Sequence, residues 1–344
     1  MKNNKRNKKR LSSLVLLLLL TVIMMSTATY AWFTANKTVT IESIDVNVAT
    51  SSGLQISTDA ANWKTKISNS DITAGYTGSV NEFTSEMKPV STNGDVDTTT
   101  GYMKMYSGNV IANAAGDFIL TSEALTDHIV NETNAGNYIA FDVFLKTEDI
   151  NKPIYLTVDS NVIPKKTDAG AAGVDTGLKN AARVGFVVEG TGTTTDSAAT
   201  LRALKGATKK TVTIWEPNAD SHTANGVAAA AQYYATTTLV AGTGNDTLVY
   251  SGIKAAITDG ILLAKTNPTD NASSFETISD TSGIAKLVST IANPTAYTQL
   301  MTLPQGVTKI RVYLWVEGND VDCENNASGS NITYNIVLSQ KSEA

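Results

Sequence analysis

Ile310-Arg311-Val312-Tyr313-Leu314-Trp315-Val316 and, beyond a polar loop, Ile332-Thr333-Tyr334-Asn335-Ile336-Val337-Leu338 alternate apolar and other side chains with period two. That period puts Ile310, Val312, Leu314 and Val316 on one face of a strand, and Ile332, Tyr334, Ile336 and Leu338 on one face of another. The pattern recurs upstream, with Ile139, Phe141, Val143 and Leu145 forming one apolar face and Ile154, Leu156 and Val158 the next. Between those two runs, Thr147 to Pro153 has the length of a hairpin loop. Val184 to Val188 is a short, nearly continuous apolar run, as a strand buried on both faces requires. Near the start, Val39 and Ile41 share one phase and Ile44, Val46 and Val48 the other, which predicts a bulge near Glu42-Ser43. Leu54 and Ile56 follow across Ser51-Ser52-Gly53, a turn. Strands at both ends and in the middle predict an all-β protein, a jelly-roll-like antiparallel β-sandwich with a few short helices.

Helical patterns are scarce. Gly177 to Arg183 has room for one or two turns, Val227 to Ala235 is Ala-rich, and Gly283 to Ala292 has apolar residues at helical spacing. The stretch from about 190 to 294 is rich in Thr, Ala, Gly and Asn. Its weaker strand signals, Thr211 to Trp215 and Leu248 to Ile253, predict a large central insertion or a small second domain. The expected organisation is a leader over 1–31, an N-terminal strand over 32–48, and a sandwich over 49–344.

Composition narrows the function. The 344 residues are 42% hydrophobic and only 17% charged, with a mean hydropathy of -0.07; they can fill a core. Thr is about one residue in seven, and its branched Cβ suits strands. One cysteine, Cys323, excludes an internal disulfide framework, and two histidines, His128 and His222, leave little for His-based catalysis or metal binding. Gly-x-Ser-x-Gly, His-Glu-x-x-His and phosphate-binding glycine loops are all missing from the sequence, so a non-enzymatic role is expected. Trp32, Trp63, Trp215 and Trp315 are scattered, which favours packing over a sugar-stacking platform.

Six of the 27 basic residues fall within residues 1–10, leaving 21 against 32 acidic side chains in the rest of the chain, a net of -11. An acidic body of low charge density does not track phosphates, so no nucleic-acid partner is expected. The basic run opens a targeting segment: an apolar stretch from Leu11 to Ala28, then Thr29-Tyr30-Ala31-Trp32. Small residues at Thr29 and Ala31 mark a signal-peptidase site between Ala31 and Trp32, and Ser26 with Ala28 offers another. At 18 residues the apolar stretch nearly spans a bilayer, so a retained N-terminal anchor is the competing reading. Cleavage is favoured because Ser12, Ser13, Thr21 and Ser26 lower the apolarity near the ends of the stretch. Either way the body is exported, and it touches a membrane only through this segment.

Two further stretches invite a role. Asp320, Asp322 and Glu324 alternate in the loop 317–325 and could present oxygens to Ca²⁺; the loop lacks the glycine and distal glutamate of an EF-hand, and a solvated strand connection is favoured. No other cofactor is expected. Immediately after the cleavage site, Trp32-Phe33-Thr34-Ala35-Asn36-Lys37 leads into the alternating strand with Val39, Ile41 and Ile44. Such a strand either opens its own sandwich or adds to the sheet of a neighbouring subunit.

Ala28-Thr29-Tyr30-Ala31-Trp32-Phe33-Thr34, ending a long apolar stretch and followed by the strand Val39 to Val48, resembles the N-terminus of TasA/camelysin-type exported proteins of Gram-positive bacteria. Gly53-Leu54-Gln55-Ile56-Ser57 with Trp63, and Trp315-Val316-Glu317-Gly318-Asn319-Asp320 through Cys323, are similar to clostridial exported proteins of the same N-terminal design. The resemblance covers about 60 residues at the two ends, and about a hundred extra residues in the middle depart from it. It implies a jelly-roll fold, processing by a SipW-type signal peptidase, and, as in fibre members, polymerisation by donor-strand exchange. On that basis the chain is expected to be a secreted protein that forms extracellular, biofilm-matrix or pilus-like filaments with copies of itself. Trp32, Phe33, Val39, Ile41 and Ile44 would form the polymerisation strand. The alternatives are a membrane-anchored surface adhesin or carbohydrate-binding module and, last, an extracellular hydrolase.

Overall fold

The computed structural model describes residue 32 and residues 39–49, 53–84, 86–115, 117–125, 136–166, 171–205, 211–233, 250–278 and 284–341. The leader, with Ala31 of the cleavage site, and Phe33 lie outside these residues, as does the side chain of Ile41.

Two large sheets face each other. The first runs in the order β17 (Thr298–Leu303), β9 (Lys152–Leu156), β19 (Asn331–Ser339), β1 (Val39–Val48), β3 (Lys66–Ile67); β10 (Asn161–Pro164) also pairs with β19, and β4 (Glu86–Met87) with β1. The second runs β16 (Lys286–Ser289), β12 (Thr211–Glu216), β11 (Ala182–Gly192), β18 (Gly306–Val316), β8 (Ile139–Thr147), β2 (Gln55–Ser57). A smaller sheet, β14 (Ile257–Leu262), β7 (Phe118–Leu125), β6 (Met105–Ala112), β5 (Val90–Ser91), and the pair β13 (Ser251–Ile253) with β15 (Phe275–Thr277), form a third layer. The described helices are short: α1 (Asn69–Ala74), α2 (Ala198–Arg202), α3 (Ala224–Tyr233) and α4 (Pro268–Asn271). None is long and apolar enough to cross a membrane.

The period-two residues explain the layering. Ile310, Val312, Leu314 and Val316 of β18 meet Ile332, Tyr334, Ile336 and Leu338 of β19 in the main core, together with Phe141, Val143 and Leu145 of β8. Tyr313 and Trp315, on the other face of β18, are buried as well, against Val90, Met103, Met105 and Tyr250 of the third layer. The whole of β18 is therefore buried, and the second sheet is the middle of three layers. Its polar side chains on that covered face are paired. Arg311 lies 3.4 Å from Asp142 and donates to the Val80 carbonyl at 2.7 Å, while Lys309 reaches Asp142 at 3.1 Å.

The N-terminal strand occupies the interior of its own sheet. It runs parallel to β19, from Thr40 opposite Asn331 to Val48 opposite Leu338, and on its other side meets β3 and β4. Val39, Ile44, Val46 and Val48 are buried in the main core. The expected bulge is present, as a register shift between Ile41 and Ser43. Of the two readings of this strand, the single chain shows residues 39–48 opening their own sandwich. With β1 absent, β19 would expose an unpaired ladder and an apolar groove, so the strand fills it.

Other departures have local causes. Gly283 to Ala292, expected as a helix, contains strand β16, where Lys286 to Ser289 add in parallel to β12. Helical spacing and a short strand cannot be told apart over so few apolar residues. Gly177 to Arg183 holds one turn before β11 begins at Ala182. Thr147 to Pro153 is no hairpin, because β8 and β9 belong to different sheets. The region 190–294 is not one insertion: β12 and β16 belong to the sandwich, while β13 to β15 join β5 to β7 in the third layer.

Replacing Ile44 by Ala should destabilise the protein by about 2–5 kcal/mol, the usual cost of truncating a buried aliphatic side chain. Asp45→Asn, which breaks only the exposed 3.4 Å pair with Lys66, should cost below about 1 kcal/mol. Equilibrium unfolding in urea measures both.

Candidate functional site

Trp32, the residue directly after the predicted cleavage position, is 1% exposed. Its indole lies in the core of the third layer with Tyr106, Val110, Leu120, Ile253, Ile257, Leu263 and Phe275. Two glycines wall this slot. A Cβ at Gly108 of β6, or at Gly318 just beyond β18, would come 2.4 Å from ring atoms Cε3 and Cζ3, so neither position admits a side chain while the indole is in place. The backbone is held at φ 71, a left-handed conformation that a bulky residue adopts only when its surroundings impose it. Among the described residues the buried indole N–H has no hydrogen-bond acceptor. Such an orphan donor costs about 1–3 kcal/mol, which the burial of a large aromatic ring offsets.

The loop that carries Gly318 joins the layers. Gly318 N–H donates to the Val90 carbonyl at 2.9 Å, and the Asn319 amide donates to the Ser251 and Thr266 carbonyls at 2.9 and 3.0 Å. Glu317, fully buried, accepts from the Tyr250 hydroxyl at 2.7 Å, Trp315 Nε1 at 3.0 Å and Asn319 N–H at 3.1 Å. Burial nevertheless pushes its carboxyl up to about 7.

Arg183 of β11, 2% exposed, sits beside this loop. Its Nη2 donates to Glu216 Oε1 and to Asp320 Oδ2, both at 2.7 Å, its Nη1 donates to the Asn180 and Ala182 carbonyls, and its guanidinium lies over the Tyr250 ring. Asp322 turns the other way. Its Oδ2 lies 2.9 Å from His222 Nδ1, and its Oδ1 accepts from the Thr223 N–H and hydroxyl at 2.9 and 2.8 Å. Glu324 is also fully buried.

The loop expected as a solvated connection is buried instead, and two of the carboxylates that could have offered oxygens to Ca²⁺ are engaged separately: Asp320 serves Arg183, and Asp322 serves the start of α3 and His222. Among the described residues no group of three His, Cys, Asp or Glu side chains is placed to hold a metal ion. Cys323 is buried, and burial, reinforced by Asp320, raises its thiol well above the ordinary range. The Trp32 backbone N–H is directed at this thiol.

Of the polymerisation residues named from the sequence, Val39 and Ile44 lie in the sandwich core and Trp32 in a separate one. The slot and the Arg183 cluster had little warning. Gly108, in the interior of β6, is the sort of strand glycine that marks a close approach by another group. Arg183 stands beside an apolar run with its acidic partners more than thirty residues away in sequence.

No family model, curated protein or solved structure matches this chain.

Native Cys323 should resist thiol reagents until the protein unfolds, and Trp32→Ala should expose it to labelling in the folded state. Gly108→Val should act similarly, and should also move Trp32 fluorescence to longer wavelength when compared against Trp32→Phe. Glu317 gives a pH prediction. Its folded carboxyl titrates near 7, above its ordinary value of 4.5, so the folded state holds the proton more tightly than the unfolded state. Its contribution therefore favours the fold below about 4.5 and is lost as pH rises through about 7. Glu317→Gln should flatten the fall in stability across that window, as read by melting temperature against pH.

Proposed function

We propose that the chain is an exported, non-enzymatic structural protein that polymerises into extracellular filaments by exchange of its N-terminal strand. The observation that carries this reading is the position of β1. It is the first strand among the described residues, it lies in a groove built wholly from later residues (β19, β3 and β4), and the chain joins it to them through residues 49–54. A groove of that kind accepts the same strand from another copy with the same hydrogen bonds and the same buried side chains. Exchange leaves contact chemistry unchanged, so assembly turns on the kinetics of release and on concentration. Each subunit gives its strand to one neighbour and receives one from another, a head-to-tail arrangement that extends without closing.

The order of the sequence suits such a scheme. Before cleavage between Ala31 and Trp32, the strand is tethered to the membrane-directed leader, which keeps it from a neighbour's groove. A signal peptidase of the SipW type would release it. The jelly-roll topology implied by the resemblance belongs to the same proposal, as do the extracellular or cell-surface location and the absence of catalytic and cofactor roles.

The test is electron microscopy of purified protein beginning at Trp32, at rising concentration, with and without an excess of a peptide of residues 32–48. Filaments should form above a threshold concentration, and the peptide should shorten them by occupying grooves. The same peptide with Ile44→Asp should have no effect, because an unpaired carboxylate would enter an apolar core. Protein that stays monomeric at all concentrations, or filaments indifferent to the peptide, would contradict the reading.

A further inference from the structure

The Trp32 slot and the groove that holds β1 are separate places. Val39, at the start of β1, lies in the sandwich core, whereas the Trp32 indole lies in the core of the third layer. Six residues, 33–38, separate the two positions in sequence. At about 3.3–3.6 Å per residue, that connection reaches no farther than about 25 Å. The slot is shaped for a flat ring. Tyr106, Leu120, Ile253 and Phe275 line it, and the backbones of Gly108 and Gly318 approach so closely that a Cβ at either would come 2.4 Å from Cε3 and Cζ3. Both glycines come later in the chain than their occupant, one in β6 and one just beyond β18. Like the β1 groove, the slot is therefore complete without the segment that fills it.

We propose that the slot is a second docking site between copies of this chain: when β1 enters a neighbour's groove, Trp32 enters that neighbour's slot. The inference rests on the strand-exchange reading and adds to it a socket that the strand itself does not fill. The covalent link supplies the geometry. Groove and slot keep one separation in every folded subunit, and residues 33–38 span that separation in the single chain. A strand seated in the neighbour's groove in the same register thus has the neighbour's slot within reach, whereas its home slot has no such fixed relation to it. Parting two subunits then requires withdrawal of both the strand and the ring. Between identical chains the exchange is neutral, because the indole is buried equally in the closed chain and in the filament. Its contribution appears only when the two copies differ.

The experiment mixes two variants of the chain that begins at position 32. Trp32→Ala has an open slot and no ring; Gly108→Ala has the ring and a slot closed to it. In either variant alone, no ring finds a slot. In an equimolar mixture, each contact in which a Gly108→Ala chain gives its strand to a Trp32→Ala chain gains a buried indole that neither closed monomer has. The threshold concentration for assembly, read by light scattering, should therefore be at least about tenfold lower for the mixture than for either variant alone. The Trp32 fluorescence of the Gly108→Ala chain should also move to shorter wavelength when the Trp32→Ala chain is added. Gly318→Ala closes the slot from its other wall and should replace Gly108→Ala in the mixture, so that misfolding of one variant leaves the test intact. A mixture that assembles no better than its components, while the unaltered chain forms filaments, would overturn the second socket and leave strand exchange standing. An unaltered chain that never assembles would overturn both.

Discussion

The parallel pairing of the first strand with the last is the constraint on which the sandwich depends. β19 needs a partner along its length on the side that β1 occupies, because each open ladder position leaves a backbone donor or acceptor unpaired. It also needs Val39, Ile44, Val46 and Val48 to close the core over Ile332, Tyr334, Ile336 and Leu338. Burial of an aliphatic side chain contributes about 1.5–3 kcal/mol, so those four side chains together outweigh any single surface interaction in the sheet. The chain must therefore bring its two ends together before the sandwich is complete. Contacts of such sequence separation are slow to form.

The loop 317–324 carries the second constraint. It continues β18, the strand buried on both faces, and fastens the middle layer to the third through Gly318, Asn319 and Glu317. It also bears the acids that engage Arg183 and His222 and the wall of the Trp32 slot. One stretch thus ties together the sandwich, the third layer and Trp32. Arg183 holds both Glu216 and Asp320, so removal of the guanidinium would leave two buried carboxylates without the cation that faces them.

What could be read from the sequence followed the period of the residues. β8, β9, β18 and β19 were legible from their alternating core faces and β11 from its continuous apolar run, and in β1 even the bulge at Ile41–Ser43 was visible as a change of phase. The third layer was not. β6 and β7 pair as a hairpin whose outer face is mixed, with Ser107, Gly108 and Asn109 breaking the alternation of Met105, Val110 and Ile111. β16 is a four-residue strand whose apolar residues fit a helix equally well. At the candidate site, the acidic spacing of Asp320, Asp322 and Glu324 was visible but its purpose was misjudged. Sequence places these side chains on one loop; only the fold brings Arg183 and His222 to them. Trp32 was conspicuous by position, yet its slot is made of absent side chains, at Gly108 and Gly318, which leave almost no trace in composition.

The exchange of β1 is tested most directly by covalent trapping. Ser43 and Thr333 are opposite each other on β1 and β19, with their hydroxyl oxygens 3.3 Å apart, a neighbouring-strand geometry within reach of a disulfide. In a Ser43→Cys, Thr333→Cys chain, oxidation of dilute monomer should close an intrachain bond and prevent assembly. Oxidation after filaments have formed should link each chain to the next, giving a ladder of covalent multimers on a denaturing, non-reducing gel. Filaments whose oxidised chains run as single monomers would show that β1 never leaves its own groove, and would contradict the account.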